Sequence, residues 1–93
     1  MTVSVGLTLP SFVDDPEIPV AVARAAEDAD LDGVFVYDHL WRGEPPNRRP
    51  ALECFALLGA IAAETRRINI GPLVARATLR PPATYPAPPV RGL

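Results

Sequence analysis

The sequence predicts an α/β protein in which short parallel strands alternate with helices. Short runs rich in β-branched residues recur along the 93-residue chain. Stretches with helical periodicity separate these runs. Successive parallel strands need a long crossover connection, which a helix supplies. We therefore expect the order strand, helix, strand, helix, strand.

The first predicted strand is 3–9, "VSVGLTL", which alternates apolar with small or polar residues and ends at Pro10. A helix is predicted next, because Asp14 and Asp15 supply an acidic cap and Pro16 suits the first helical position. The predicted apolar face of this helix consists of Ile18, Val22, Ala25 and Ala29, and the predicted polar face of Arg24, Glu27 and Asp28.

The second predicted strand is 34–37, "VFVY", a continuous apolar run typical of a strand buried on both faces. After a proline-containing loop, "ALECFALLGAIAAETRR" at 51–67 predicts a largely apolar helix, and "INIGPLV" at 68–74 predicts a third strand. Residues 81–93 hold five of the twelve prolines and are predicted to be an extended or disordered tail. The predicted domain therefore spans residues 1–80.

Composition excludes several classes of protein. The chain is 48% hydrophobic, without an apolar run near the roughly 18 residues that a membrane helix needs. Its nine cations and eleven anions are spread along the chain, which leaves no basic stripe for nucleic acid. No secretory signal is visible. We expect a cytoplasmic protein that binds neither membrane nor nucleic acid, with the lone Cys54 as a small core residue.

The only histidine, His39, lies directly after the second predicted strand, within "GVFVYDHLWRG". Residues just past the carboxyl ends of parallel strands line the functional face of such folds. Three segments qualify: 9–12, 38–42 and 71–76. His39 is therefore a candidate for proton exchange near neutral pH, and a hydrogen bond to a loop carbonyl is the equally open alternative.

The neighbours of His39 allow more than one interpretation. Asp38 can orient the imidazole or favour its charged form, but consecutive strand positions point to opposite faces, so the two residues can have separate tasks. Trp41 can stack on a planar ring or serve as packing. No metal site is expected, because no HxH, HExxH or clustered carboxylate spacing occurs. No phosphate-binding glycine motif occurs either.

Three segments together carry a resemblance to a known family. These segments are "VGLTLP", "ARAAEDADLDGVFVYDHL" and "PALECFALLGAIAAETRRINIGPLVARATLRPPA". Over about residues 3–83 the chain resembles the N-terminal part of the bacterial luciferase-like flavin monooxygenases. It is most similar to the branch that uses the deazaflavin coenzyme F420. The "DGVFVYDHL" and "RINIGPLV" blocks are the most specific parts of this resemblance.

The resemblance implies a fold and a set of site residues. Relatives form a complete (β/α)8 barrel of roughly 250 residues, so this chain resembles the first three strands and two helices of an incomplete TIM-type barrel. Asp38 and His39 match cofactor-contacting positions, with His39 as the catalytic candidate. Leu73 and Val74 match a non-proline cis peptide that contacts the cofactor ring. Substrate-side positions are Leu9 and Pro10, with Trp41 beside them.

The implied activity is hydride transfer or oxygen activation by a reduced flavin-type cofactor, acting on a small organic substrate. Coenzyme F420 is the expected cofactor and FMN the alternative. We expect the 93 residues alone to be an inactive fragment, because the remaining cofactor contacts come from later strands in relatives. The competing interpretation is a non-catalytic α/β remnant that forms a homo-oligomer or pairs its open sheet edges with another chain. Asp30 stands where relatives have a helix-ending glycine, and aspartate tolerates the left-handed conformation.

Overall fold

A small parallel sheet covered by two helices forms the described part of the protein. The computed structural model describes residues 2–81, and the predicted tail from Pro82 onward lies outside the described residues. The elements in chain order are β1 (Gly6–Thr8), α1 (Glu17–Asp28), β2 (Gly33–Val36), β3 (Trp41–Arg42), β4 (Arg49–Pro50), α2 (Cys54–Glu64), β5 (Asn69–Pro72) and a short 3-10 turn (Ala77–Leu79).

The sheet has the order β1-β2-β5, and both of its strand pairs are parallel. Gly6 pairs with Gly33, and Gly33 pairs with Asn69, which fixes the register. Both connections contain a helix, as parallel pairing requires. The α/β prediction and the order of its five elements are therefore confirmed for residues 2–81.

The two helices pack against the sheet and against each other, with an exposed ion pair between them. Arg24 Nη1 of α1 lies 3.0 Å from Glu64 Oε2 of α2. Both α1 and α2 contact β2, and α2 also contacts β5. The buried apolar core lies in these contacts and comprises Leu9, Val20, Ala23, Ala26, Val34, Val36, Cys54, Leu57, Leu58, Ile61, Ile68 and Ile70.

Helix α1 begins one residue later than predicted, at Glu17, and buries a different face. The Asp15 side chain accepts a hydrogen bond from the Glu17 N–H at 2.9 Å, and Pro16 precedes the first helical residue. The face predicted from Ile18 is wrong, because the buried residues are Pro19, Val20, Ala23 and Ala26. Alanine recurs so often in this helix that apolar spacing alone does not select a face.

A residue in the left-handed conformation follows α1, at the position where the sequence predicts one. Asp30 has a φ of 62°, the conformation expected at a position where relatives carry glycine. The next residues turn the chain into β2. Asp32 then fixes the start of the first strand pair, because its Oδ2 accepts from the Val5 N–H at 2.6 Å.

Three predicted elements are longer than the observed ones. The first strand is limited to Gly6–Thr8, since a side chain satisfies Val5 N–H. Helix α2 starts after Glu53, whose carboxylate accepts from the Ala56 N–H at 2.6 Å. It ends at Thr65, whose hydroxyl donates to the Ile61 carbonyl at 2.7 Å. The third strand, β5, is likewise confined to Asn69–Pro72.

A two-stranded hairpin occupies the loop predicted between β2 and α2. β3 and β4 pair antiparallel, with Trp41 opposite Pro50 and Arg42 opposite Arg49. The Asn47 N–H donates to the Glu44 carbonyl at 2.8 Å in the turn between them. The sequence did not indicate this hairpin, because its strands are two residues long and carry no apolar alternation.

Candidate functional site

A cleft of about 690 Å³ lies at the carboxyl ends of β1 and β2. This is the edge at which parallel α/β folds place their functional residues. The segment after β1 forms one wall, residues after β2 form the floor, and the hairpin closes one side. Its lining residues are Thr8, Leu9, Pro10, Ser11, Phe12, Val13, Tyr37, His39, Arg42 and Arg49.

His39 lies in this cleft among aromatic rings. Its imidazole centroid is 5.5 Å from that of Tyr37 and 6.1 Å from that of Phe12, the latter edge-on. The Nδ1 atom is buried and has no hydrogen-bond partner within residues 2–81. The alternative of a loop carbonyl bound at Nδ1 is therefore not realised in the described chain. This nitrogen is left with unused hydrogen-bonding capacity beside the cleft.

Asp38 lies away from the cleft and is almost completely buried. Arg80 donates to both of its carboxylate oxygens, at 2.6 Å and 2.9 Å, and the Arg76 N–H donates at 2.7 Å. The Arg80 hydrogen bonds, helped by that from Arg76, hold the pKa of Asp38 below its usual range. Asp38 and His39 thus have separate surroundings, which is one of the two alternatives that the sequence left open.

Arg80 joins Asp38 to the start of α2. Besides Asp38, its guanidinium contacts the Glu53 carboxylate and lies 4.5 Å from the Phe55 ring centroid. The pKa of Glu53 is lowered, because hydrogen bonds from Ala56 N–H and Arg80 outweigh the effect of its burial. This network ties the segment after β5 to the end of β2 and the start of α2. Sequence reasoning missed Arg80, because it is 42 residues from Asp38.

Some of the other predicted site residues line the cleft and one does not. Leu9 and Pro10 line the cleft, as expected for substrate-side positions. The structure does not bring Trp41 into it, because strand alternation in the hairpin directs Arg42 to the cleft and Trp41 away from it. The Trp41 ring instead lies 4.4 Å from the Arg48 guanidinium carbon. Substrate contact by these residues stays a prediction.

The segment after β5 carries the backbone feature that the resemblance implies. The Leu73–Val74 peptide bond is cis, and both side chains are exposed. The Leu73 N–H donates to the Val36 carbonyl at 2.8 Å, which places this peptide beside the end of β2. The cofactor contact assigned to Leu73 and Val74 stays a prediction.

Ser11 is a cleft residue that sequence reasoning did not single out. Its side chain is 0% exposed, and its Oγ has no hydrogen-bond partner among residues 2–81. Its carbonyl oxygen is used, since the Leu52 N–H donates to it at 2.7 Å. The only available signal was its position directly after the first strand.

Cys54 lies in the core, as expected, and not in the cleft. Burial raises the pKa of its thiol to about 12, with further contributions from the Asp38 and Glu53 charges. Its Sγ is 3.7 Å from the Val36 carbonyl oxygen. Such a thiol is an inert packing residue rather than a nucleophile.

The sequence profile of the luciferase-like monooxygenases matches residues 3–85, which is most of the chain. This chain belongs to the luciferase-like monooxygenase family. Searches of curated proteins and of solved structures gave no significant match.

Family membership gives a coarse function for this luciferase-like protein. Its family consists of oxidoreductases of the monooxygenase type, which use flavin or F420 cofactors. The parallel sheet and two helices are consistent with part of that fold. Neither helix in residues 2–81 is long and apolar enough to cross a membrane.

Proposed function

We propose that this cleft forms part of the active site of an F420-dependent oxidoreductase, with FMN as the alternative cofactor. The observation that carries the proposal is the buried, unpartnered Nδ1 of His39 in a cleft at the carboxyl ends of parallel strands. Buried polar atoms nearly always have a partner, so this unpartnered nitrogen makes the His39 ring the candidate for contact with a bound ligand.

The residues present fit a planar cofactor ring. A volume of about 690 Å³ lies within the roughly 300–1,000 Å³ of ligand pockets, which are mostly apolar with a few polar groups. Tyr37 supplies aromatic surface beside His39, with ring centroids 5.5 Å apart. Ser11 and His39 supply the polar atoms. When bound, a reduced deazaflavin supplies a hydride, and a reduced flavin can also activate oxygen.

In this proposal His39 holds or moves the proton that accompanies the redox step. Histidine is the commonest general acid or base in enzymes, and the rings of Tyr37 and Phe12 adjoin the His39 ring. Asp38 acts indirectly, since its carboxylate is engaged by Arg80. It fixes the backbone before His39, which makes it a positioning residue.

Cofactor fluorescence tests the proposal on the 93-residue chain. We expect saturable quenching of F420 with a dissociation constant above the micromolar range, because the resemblance implies further cofactor contacts from later strands. His39→Ala should abolish this quenching, and Arg48→Gln, on the other side of the hairpin, should preserve it. Identical titrations for the parent chain and His39→Ala would refute the assignment.

Turnover provides the second test wherever it is measurable. A general acid or base contributes about 10²- to 10⁴-fold, so His39→Ala should lower kcat at least about tenfold. An unchanged kcat would remove His39 from the mechanism. Stronger quenching of FMN than of F420 would favour the alternative cofactor.

The non-catalytic remnant remains a second candidate, favoured by exposed apolar side chains at one sheet edge. Val3, Val5 and Leu7 are exposed on or just before β1. Within residues 2–81 no strand pairs with the outer edge of β1. Such an edge promotes association. Sedimentation of the parent chain and of Val5→Lys would show whether a homo-oligomer forms and whether it uses this edge.

A further inference from the structure

The β3–β4 hairpin places two arginines directly opposite each other on the cleft side. Arg42 pairs with Arg49 in the strand register, and both side chains line the cleft. Arg48, by contrast, lies against Trp41 on the other side. Like charges at directly opposed positions of an antiparallel pair repel each other and destabilise the pairing.

The described chain does not neutralise this pair. In residues 2–81 no carboxylate forms an ion pair with Arg42 or Arg49. No aspartate or glutamate is among the described residues that line the cleft. Asp14 lines an adjoining cavity of about 380 Å³ together with Arg49, but without an ion pair. The hairpin therefore directs uncompensated positive charge into the cleft.

The same cleft also contains aromatic rings and polar atoms without a hydrogen-bond partner in the described chain. The Phe12 and Tyr37 rings are stacked, with an interplanar angle of 28°. Arg42 lies 5.9 Å from the Phe12 ring centroid, so the positive charge directly adjoins this aromatic wall. Ser11 Oγ and His39 Nδ1 are buried without partners in the described chain.

We propose that the cleft binds a planar organic carboxylate. Arg42 and Arg49 bind its carboxylate, since the guanidinium fork matches carboxylate geometry. The Phe12 ring, which lies 5.9 Å from the Arg42 guanidinium, contacts its unsaturated part. This ligand class is the substrate class of the proposed oxidoreductase. Only the word substrate rests on the proposed function, because binding of the carboxylate does not require it.

Binding of benzoate to the 93-residue chain tests the inference without any cofactor. Backbone amide NMR titrations would compare benzoate with benzyl alcohol, which lacks the charge, and with inorganic phosphate, which lacks the ring. We expect benzoate to bind most tightly and to shift signals of Phe12, Tyr37 and both arginines. Its affinity should fall as ionic strength rises.

Arginine variants locate the bound carboxylate. Arg42→Gln and Arg49→Gln should each weaken benzoate binding about tenfold, as loss of a charge-assisted hydrogen bond predicts. Arg42→Lys should retain part of the affinity, because it keeps the charge without the fork. Arg48→Gln removes the same charge from the other side of the hairpin and should leave binding unchanged. The unshifted amide signals of the core would show that each variant is folded.

Two results would overturn the inference. One is equal weakening by Arg48→Gln and Arg42→Gln, which would indicate nonspecific attraction to a basic surface. The other is phosphate binding as tightly as benzoate, which would indicate an oxyanion site of the kind that a cofactor or free phosphate occupies. Neither result affects His39-dependent quenching of F420, so failure of this inference is distinguishable from failure of the proposed function.

Discussion

Replacing Arg80 with methionine should destabilise the protein by about 3–5 kcal/mol, the usual cost of removing one partner of a buried ion pair. The Asp38 side chain is 2% exposed and that of Arg80 is 15% exposed. Methionine keeps the length of the apolar stem but removes both donors to Asp38. The carboxylate then retains the Arg76 N–H as its hydrogen-bond donor in the described chain. The free energy of unfolding of a small domain is only about 5 kcal/mol or somewhat more, so much of the variant should be unfolded.

Urea unfolding followed by far-ultraviolet circular dichroism measures this loss. The matched control is Arg24→Met, which breaks an exposed ion pair to Glu64. Exposed pairs contribute about 0–1 kcal/mol, so this control should have little effect. The double variant Asp38→Asn/Arg80→Met should recover about half of the loss, because no buried charge is left unpaired. Equal, small effects of Arg80→Met and Arg24→Met would refute the reasoning.

The same network predicts a pH dependence of stability. Since the folded pKa of Asp38 is lowered, chiefly by hydrogen bonds from Arg80, its contribution is present above the unfolded value of about 3.9. The contribution is lost as the pH falls below that value through the folded pKa. Arg80→Met should flatten this part of the stability profile.

Four further predictions concern the scaffold. Gly6→Ala should destabilise by about 1–3 kcal/mol, because its Cβ would lie 2.6 Å from the Phe35 ring. Gly59→Ala, with nothing within 4 Å, should stabilise by about 0.5–1 kcal/mol in the same urea assay. The Cys54 thiol, with its pKa raised to about 12, should react with a disulfide reagent only on unfolding. Backbone hydrogen bonds from Ile68 and Arg67 lower the pKa of Glu27 to about 2. The contribution of Glu27 to the free energy of unfolding should therefore be lost as the pH falls from about 4.3 to the folded pKa of about 2. Glu27→Gln should remove that loss in acid unfolding curves.

The second strand was predictable from its composition. The apolar run 34–37 between turn residues predicts a strand, and the observed β2 (Gly33–Val36) contains three of these four residues. The burial of α1 was not predictable from spacing, because alanines occur on every side of that helix. The hairpin was not predictable either, because its residues show no alternation of apolar and polar side chains. A backbone hydrogen bond, from the Ala51 N–H to the Leu40 carbonyl oxygen, closes it.

The site was predictable only where topology alone decides the position. His39 follows a parallel strand, and its place in the cleft requires no contact between distant residues. Arg80 is different, because its contacts with Asp38 and with Glu53 depend on how α2 and the segment after β5 pack. Ser11 required knowledge of its burial, since a serine after a strand is common and ordinarily exposed.

The adjacent pair Asp38 and His39 shows how one strand end serves stability and chemistry separately. Alternation directs the carboxylate toward α2 and Arg80, where it is fully engaged, and the imidazole into the cleft, where Nδ1 has no partner in the described chain. Substitution of Asp38 should therefore lower the free energy of unfolding directly and affect the cleft only indirectly. Loss of cofactor quenching in Asp38→Asn would carry no information about chemistry until unfolding was measured. His39→Gln keeps a polar side chain, so it tests the cleft without disturbing the Arg80 network.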